Sequence, residues 1–135
     1  MAQSNVPTLI IEDNPMDAAM LVNIVSRFTN DITVSTSAER GGIIFGQALR
    51  EESPYQILIT DINLPGMSGK ELIKEIRELE ESYNLKSTVR IIAVSADPPS
   101  MHLLEACRVG AGCYLKKPIT KEKLSEALQN TRLFQ

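Results

Sequence analysis

Four apolar runs in the chain each stop at a residue that can do chemistry. Leu9-Ile10-Ile11 runs into Glu12-Asp13, Ile57-Leu58-Ile59-Thr60 into Asp61, Ile91-Ile92-Ala93-Val94 into Ser95, and Cys113-Tyr114-Leu115 into Lys116-Lys117-Pro118. Carboxylates gathered in one place repel. Two like charges about 4 Å apart cost roughly 1 kcal/mol in bulk water and about 4 kcal/mol at an effective dielectric of 20. Such a cluster either raises a pKa or holds a cation, and carboxylates with a carbonyl suit a hard, oxygen-seeking ion. Magnesium fits, with Mn2+ as the alternative, because it takes one or two carboxylates together with phosphate oxygens. That combination implies phosphoryl chemistry. Asp61 is the nucleophile candidate, since a carboxylate can form an aspartyl-phosphate. Lys117 supplies a fixed positive charge and Ser95 a hydroxyl donor, each able to engage a phosphoryl oxygen. Taken singly, Asp13 reads as a helix cap, Ser95 as a turn residue and Lys117 as a solvated lysine like Lys116. Their joint occurrence at successive run ends carries the functional reading.

These residues meet only if the runs are strands of one sheet. Short continuous apolar runs bounded by polar residues fit strands buried on both faces, as in a parallel sheet covered by helices. In an open parallel sheet the functional crevice lies beyond the carboxyl ends of the strands, so all four runs deliver to one edge. Between them, Asn14-Pro15 marks a helix start, and Ala18, Ala19, Leu21, Val22, Ile24 and Val25 supply its apolar positions. Residues 31–36 alternate and suit an edge strand. Ser37 caps a helix through Arg50 that Gly41, Gly42 and Gly46 make intrinsically weak. A helix from Gly69 to about Ser82 follows the Pro65-Gly66 turn, and a polar connection leads to a strand over Arg90–Val94. Pro98-Pro99 opens a fourth helix ending near Gly110, and Thr120 caps a fifth with Leu124, Ala127 and Leu128 inward. The βα unit repeats five times, which predicts a three-layer α/β/α sandwich around a five-stranded parallel sheet of order 2-1-3-4-5.

Composition narrows the classes. The 135 residues fit one domain over 8–131, with a flexible lead-in at 1–7 and a tail at 132–135. Hydrophobic content of 43% and charged content of 23% are those of a globular protein, which excludes disordered and collagen-like classes. A net charge of −3 without a clustered basic stretch argues against a nucleic-acid partner. No apolar run approaches the ~20 residues needed to span a bilayer, and the first residues lack a signal-peptide pattern, so a cytoplasmic location is expected. Cys107 and Cys113 form neither a Cys-x-x-Cys motif nor a zinc set and read as buried small apolar residues.

The segments Leu9–Asn14, Ile59–Gly69, Ala93–Ala96 and Tyr114–Pro118 closely resemble those of the receiver domain of two-component response regulators, in the expected order and over nearly the whole chain. The resemblance implies a CheY-like, flavodoxin-like fold in which Asp61 accepts a phosphoryl group from a histidine kinase or histidine phosphotransfer protein. It further implies that Asp13 and Asp61 bind Mg2+ directly with the backbone carbonyl of Asn63, and that Glu12 acts through a metal-bound water. Ser95, Ala96 and Lys117 would hold the phosphoryl oxygens, and the Lys117-Pro118 peptide would be cis. Tyr114 matches the family's switch aromatic, which follows Ser95 and alters the face of the fourth helix, last strand and fifth helix for an effector. The implied state is a monomer or a weak phosphorylation-dependent dimer.

Three departures bear on partners and one site residue. Glu12 stands where Asp is commoner, Gly112-Cys113 replaces an acidic pair, and the stretch Glu80–Thr88 is long and polar. Rival readings fit less well. In the Asp-x-Asp phosphatases the second acid exchanges a proton, which Asn63 cannot do. A P-loop would need Gly where Leu64 stands before Gly66–Lys70. An acidic edge repels a flavin phosphate. A docking module indifferent to phosphorylation leaves the full residue set unexplained. His102 reads as part of a solvated helix face.

Overall fold

The computed structural model describes residues 5–98, 101 and 113–134. Five strands, β1 (Thr8–Ile11), β2 (Ile32–Ser35), β3 (Ile57–Asp61), β4 (Arg90–Ser95) and β5 (Cys113–Lys116), form one sheet of order β2-β1-β3-β4-β5. Every neighbouring pair is parallel, with Ile10 opposite Val34 and Ile59, Ile59 opposite Ile92, and Ala93 opposite Tyr114. The described helices are α1 (Pro15–Val25), α2 (Ala38–Arg50), α3 (Gly69–Ser82) and, last in the chain, α4 (Lys121–Asn130).

The apolar runs are continuous because both sheet faces are covered. Leu9, Ile11, Leu58, Ile91 and Ala93 point into one core with Phe45, Leu72 and Ile76 of α2 and α3. Ile10, Ile57, Ile59, Ile92 and Val94 point into the other with Leu21 and Val25 of α1 and Leu124 and Leu128 of α4. Alternation thus divides each strand between two cores rather than between core and solvent. The edge strand β2 is half-buried, as its polar alternation required.

Helix starts follow local chemistry. Asn14 Oδ1 accepts from the N–H groups of Met16 and Asp17 at the head of α1, with Pro15 at its first position. Ser37 accepts from Arg40 N–H, and Thr120 from Lys123 N–H. Ser68 and Glu71 form a reciprocal capping box at α3.

The glycines of α2, expected to weaken it, have a packing role. A Cβ on Gly41 would lie 2.2 Å from Ile11 Cδ1, so the missing side chain lets α2 settle against β1. The expected lead-in ends earlier than residue 7. Val6 is buried, its N–H donates to Thr29 Oγ1 at 2.9 Å, and the Pro7 carbonyl accepts from Gln56 and Ile57. Near the other terminus, the Phe134 ring lies 5.2 Å from that of Phe28. Cys113 is half-buried and a free thiol, raised in pKa by burial. The expected fourth helix apart from Met101, with His102 and Cys107, falls outside the described residues.

Candidate functional site: an acidic sheet edge around one lysine

The carboxyl ends of β1, β3, β4 and β5 converge as their run-end residues required. Glu12 follows β1 and is only 1% exposed, while Asp61 closes β3 at 5%. Asp13 is exposed beside them. One carboxylate oxygen from each of Glu12, Asp13 and Asp61 lies within 4.8 Å of the others.

Lys117 leaves the end of β5 and turns its ammonium into this group. Its Nζ donates to Asp61 Oδ2 at 3.0 Å, Glu12 Oε1 at 3.1 Å and Asp17 Oδ2 at 3.1 Å. The chain is fixed there by Lys117 N–H donating to the Ser95 carbonyl at 2.7 Å, and the Lys117-Pro118 peptide is cis, as the resemblance implied.

Backbone geometry seats Asp61. Asn63 N–H donates to Asp61 Oδ1 at 3.0 Å, and the loop returns so closely that a Cβ on Gly69 would lie 2.2 Å from the Asp61 carbonyl oxygen. Only glycine leaves that room. Glu12 is seated by Asn14 N–H, which donates to its Oε2 at 3.2 Å.

Ser95 is buried at the end of β4. Its Oγ accepts from Asn63 Nδ2 at 3.0 Å and from Asp97 N–H at 3.0 Å. Asn63 Nδ2 also donates to Asp97 Oδ2 at 3.1 Å, and the Tyr114 hydroxyl donates to the Asp97 carbonyl. The Asn63 side chain therefore joins the loop after β3 to the loop after β4, and Tyr114 joins that loop to β5. Ala96 lies exposed just after β4 and offers its backbone alone.

The charges here are unbalanced. Burial pushes the Glu12 carboxyl above its usual range; the Asn14 N–H and Lys117 oppose this, and the nearby Asp61 charge adds to it. Burial alone would lower the Lys117 pKa, but the bonds it donates to Asp61, Asp17 and Glu12 prevail and raise it. The ammonium stays charged at neutral pH. The donor set suits a hard divalent cation: it is all oxygen, preformed, and carries more negative charge than Lys117 neutralises.

Sequence reasoning placed every residue of the acidic cluster, Ser95 and Lys117 at one edge, and there they lie. It missed Asp17 and Asp97. Asp17 is the third residue of α1, where an acid is already explained by the helix dipole. Asp97 lies in a loop, with only its position two residues after Ser95 to mark it.

A five-stranded parallel sheet with this acid group and lysine at its carboxyl edge is the arrangement of a receiver. The model of the response regulator receiver domain matches residues 8–129, and the chain belongs to that family. Chemotaxis protein CheY-3 of Vibrio cholerae is 27% identical over 124 residues, which make up 92% of this chain and 89% of that one. The fold is also that of the receiver domain of the Arabidopsis thaliana histidine kinase CKI1, solved with Mg2+ and BeF3−. The TM-score is 0.73 at 22% identity, covering 93% of this chain and 89% of that one. The receiver domain of the response regulator Ssk1, co-crystallised with the phosphotransfer protein Ypd1 of Saccharomyces cerevisiae, is likewise similar. There the TM-score is 0.77 at 21% identity, over 98% of this chain and 93% of the other. The chain is thus a CheY-like receiver domain of two-component signalling rather than a conventional enzyme. No described helix is long and apolar enough to cross a membrane.

Proposed function

We propose that the chain is a phosphoacceptor, taking a phosphoryl group onto Asp61 from a phosphohistidine of a histidine kinase or phosphotransfer protein. An Asp61 carboxylate oxygen attacks phosphorus, the phosphorus–nitrogen bond breaks, and the imidazole leaves with its electron pair and takes a proton. The observation that carries this reading is Asp61 itself. It is a buried carboxylate with one oxygen on the Asn63 N–H and the other on the Lys117 ammonium, inside an acid cluster.

Such transfer is mostly positioning and charge neutralisation, because the moving group is metaphosphate-like. Mg2+ or Mn2+, when bound, would supply the neutralisation, held by Asp13, Asp61 and the Asn63 carbonyl, with Glu12 acting through water. Lys117 and Ser95, with the Ala96 backbone, bind the phosphoryl oxygens. Turnover is limited to this transfer and to loss of the group by hydrolysis. The setting in this reading is the cytoplasm, and the chain acts as a monomer or a weak dimer formed on phosphorylation.

The signal leaves through the network on Ser95. Ser95 gives up Asn63 for the phosphoryl group, the loop after β4 shifts, and Tyr114 turns inward. The face that carries β5 and α4 then suits a different partner. Moving that equilibrium from 1:99 to 99:1 takes about 5.5 kcal/mol. A few charge-assisted hydrogen bonds of roughly 1.5–3 kcal/mol each suffice.

Incubation with acetyl phosphate and Mg2+, read by intact mass, tests the first step. The native chain is expected to gain one phosphoryl group and Asp61→Ala none; an equal mass gain in the two, or none in either, would remove the proposal. Backbone NMR shifts that stay fixed at Ser95 and Tyr114 on adding beryllofluoride would remove the switch.

A further inference from the structure

The Lys117 ammonium has three N–H donors, and each meets a different carboxylate, on Asp61, Glu12 and Asp17. Two of those acceptors belong to the group of Glu12, Asp13 and Asp61 that fits a divalent ion. Asp17 stands outside that group. Its backbone is fixed by the α1 cap, with Asp17 N–H donating to Asn14 Oδ1 at 3.0 Å. Its side chain is 40% exposed, against 1% for Glu12 and 7% for Asp61.

We propose that Asp17 is a positioning residue for Lys117, holding the ammonium at the sheet edge while Asp61 and Glu12 change partners. The inference rests on the reading of Asp61 as phosphoacceptor. A lysine head sits on a flexible four-carbon stem, so only its contacts fix it in place. Asp61 gives up an oxygen to phosphorus, and Glu12 turns toward a cation. Neither can hold the ammonium unchanged through the reaction. Asp17 is outside the group that fits a cation, and its partial exposure lets water satisfy its other oxygen. A first-turn acid would also favour the α1 N-terminus, but that role needs no contact with a lysine 100 residues away.

The test uses the full chain with acetyl phosphate and Mg2+, following intact mass over time for the native protein, Asp17→Ala, Asp17→Asn and Lys117→Ala. A second measurement follows the Lys117 ε-methylene NMR signal in the native protein and both Asp17 variants, assigned by its absence from Lys117→Ala. Asp17→Ala is expected to slow phosphorylation at saturating acetyl phosphate about tenfold, as loss of a supporting carboxylate typically does. The Lys117 signal is expected to move toward that of solvated lysines. Asp17→Asn keeps an acceptor oxygen and the side-chain shape, so it should lose less, and it serves if Asp17→Ala does not fold. Native rates in both variants with an unmoved Lys117 signal would overturn this proposal alone. Slow rates with an unmoved signal would assign Asp17 to the helix and overturn it as well. A native chain that takes no phosphoryl group would overturn the phosphoacceptor reading and this inference with it.

Discussion

At the amino end of the sheet Glu80 is buried to 3% exposure; at the carboxyl end Glu12 and Asp61 are buried as deeply. Their surroundings differ. Glu80 pairs with Arg77 Nη1 at 2.8 Å and accepts the Val89 N–H at 2.5 Å, while the same Arg77 nitrogen donates to the Val89 carbonyl at 3.0 Å. One anion and one cation lock the end of α3 to the start of β4. At the other end Glu12, Asp17 and Asp61 share a single ammonium, and Asp13 stands beside them without one of its three bonds. Burial of a carboxylate is common to both ends, so burial does not mark the functional one. Imbalance does. A neutral pair has nothing left to bind, whereas four carboxylates around one lysine retain negative charge that a cation can relieve.

The comparison breaks first at Glu80. Glu80→Ala leaves the Val89 N–H without its acceptor and Arg77 without this anion, and is expected to cost about 3 kcal/mol of stability. Urea unfolding checks it, and the Asp61 site should still take a phosphoryl group from acetyl phosphate. The opposite sign is expected at the carboxyl end. Asp13→Asn keeps the side-chain shape, removes one repelling charge and takes nothing from Lys117. Without divalent cation it should raise stability by about 1 kcal/mol. The same substitution should reduce the added stability that saturating Mg2+ confers on the native chain. A variant less stable than the native chain in chelator would mean the acids are not in net repulsion.

The carboxyl end was legible in the sequence because its residues sit at fixed places on a regular frame. Leu9 and Ile11 feed one core and Ile10 the other, so the run reads as a doubly buried strand, and whatever follows it must emerge at the sheet edge. The amino end was not legible. Glu80 lies among Glu78, Leu79 and Glu81 and looks like any residue of a solvated helix face; its burial comes from a connection that returns nine residues later. Asp17 was hidden by a sufficient local explanation, the first turn of α1. The glycines of α2 were read by propensity alone. Gly41 instead answers to Ile11, a contact that exists only once α2 lies on the sheet. Regular structure projects from local pattern, and pairings made by loops do not.

The finest effect expected at the carboxyl end is in its response to pH. Glu12 has its pKa raised in the folded chain, by burial first and with the Asp61 charge adding to it. The folded state therefore holds that proton more tightly than the unfolded chain, whose value lies near 4.5. Below that value Glu12 is neutral in both states and adds no pH dependence. As pH rises through the interval between the unfolded and folded values, the folded state keeps more protons, so stability falls. Above the folded value the loss is complete and constant. Glu12→Gln cannot ionise and should lack this component. The stability difference between Glu12→Gln and the native chain, measured in chelator by urea unfolding, is expected to shift in favour of the variant from just above pH 4.5 and then level off. Saturating Mg2+ should reverse the trend in the native chain, because a bound cation favours the ionised cluster over the protonated one. A difference that stays flat across that window would mean Glu12 ionises in the fold as it does in the open chain, with the Asn14 N–H and Lys117 together offsetting its burial.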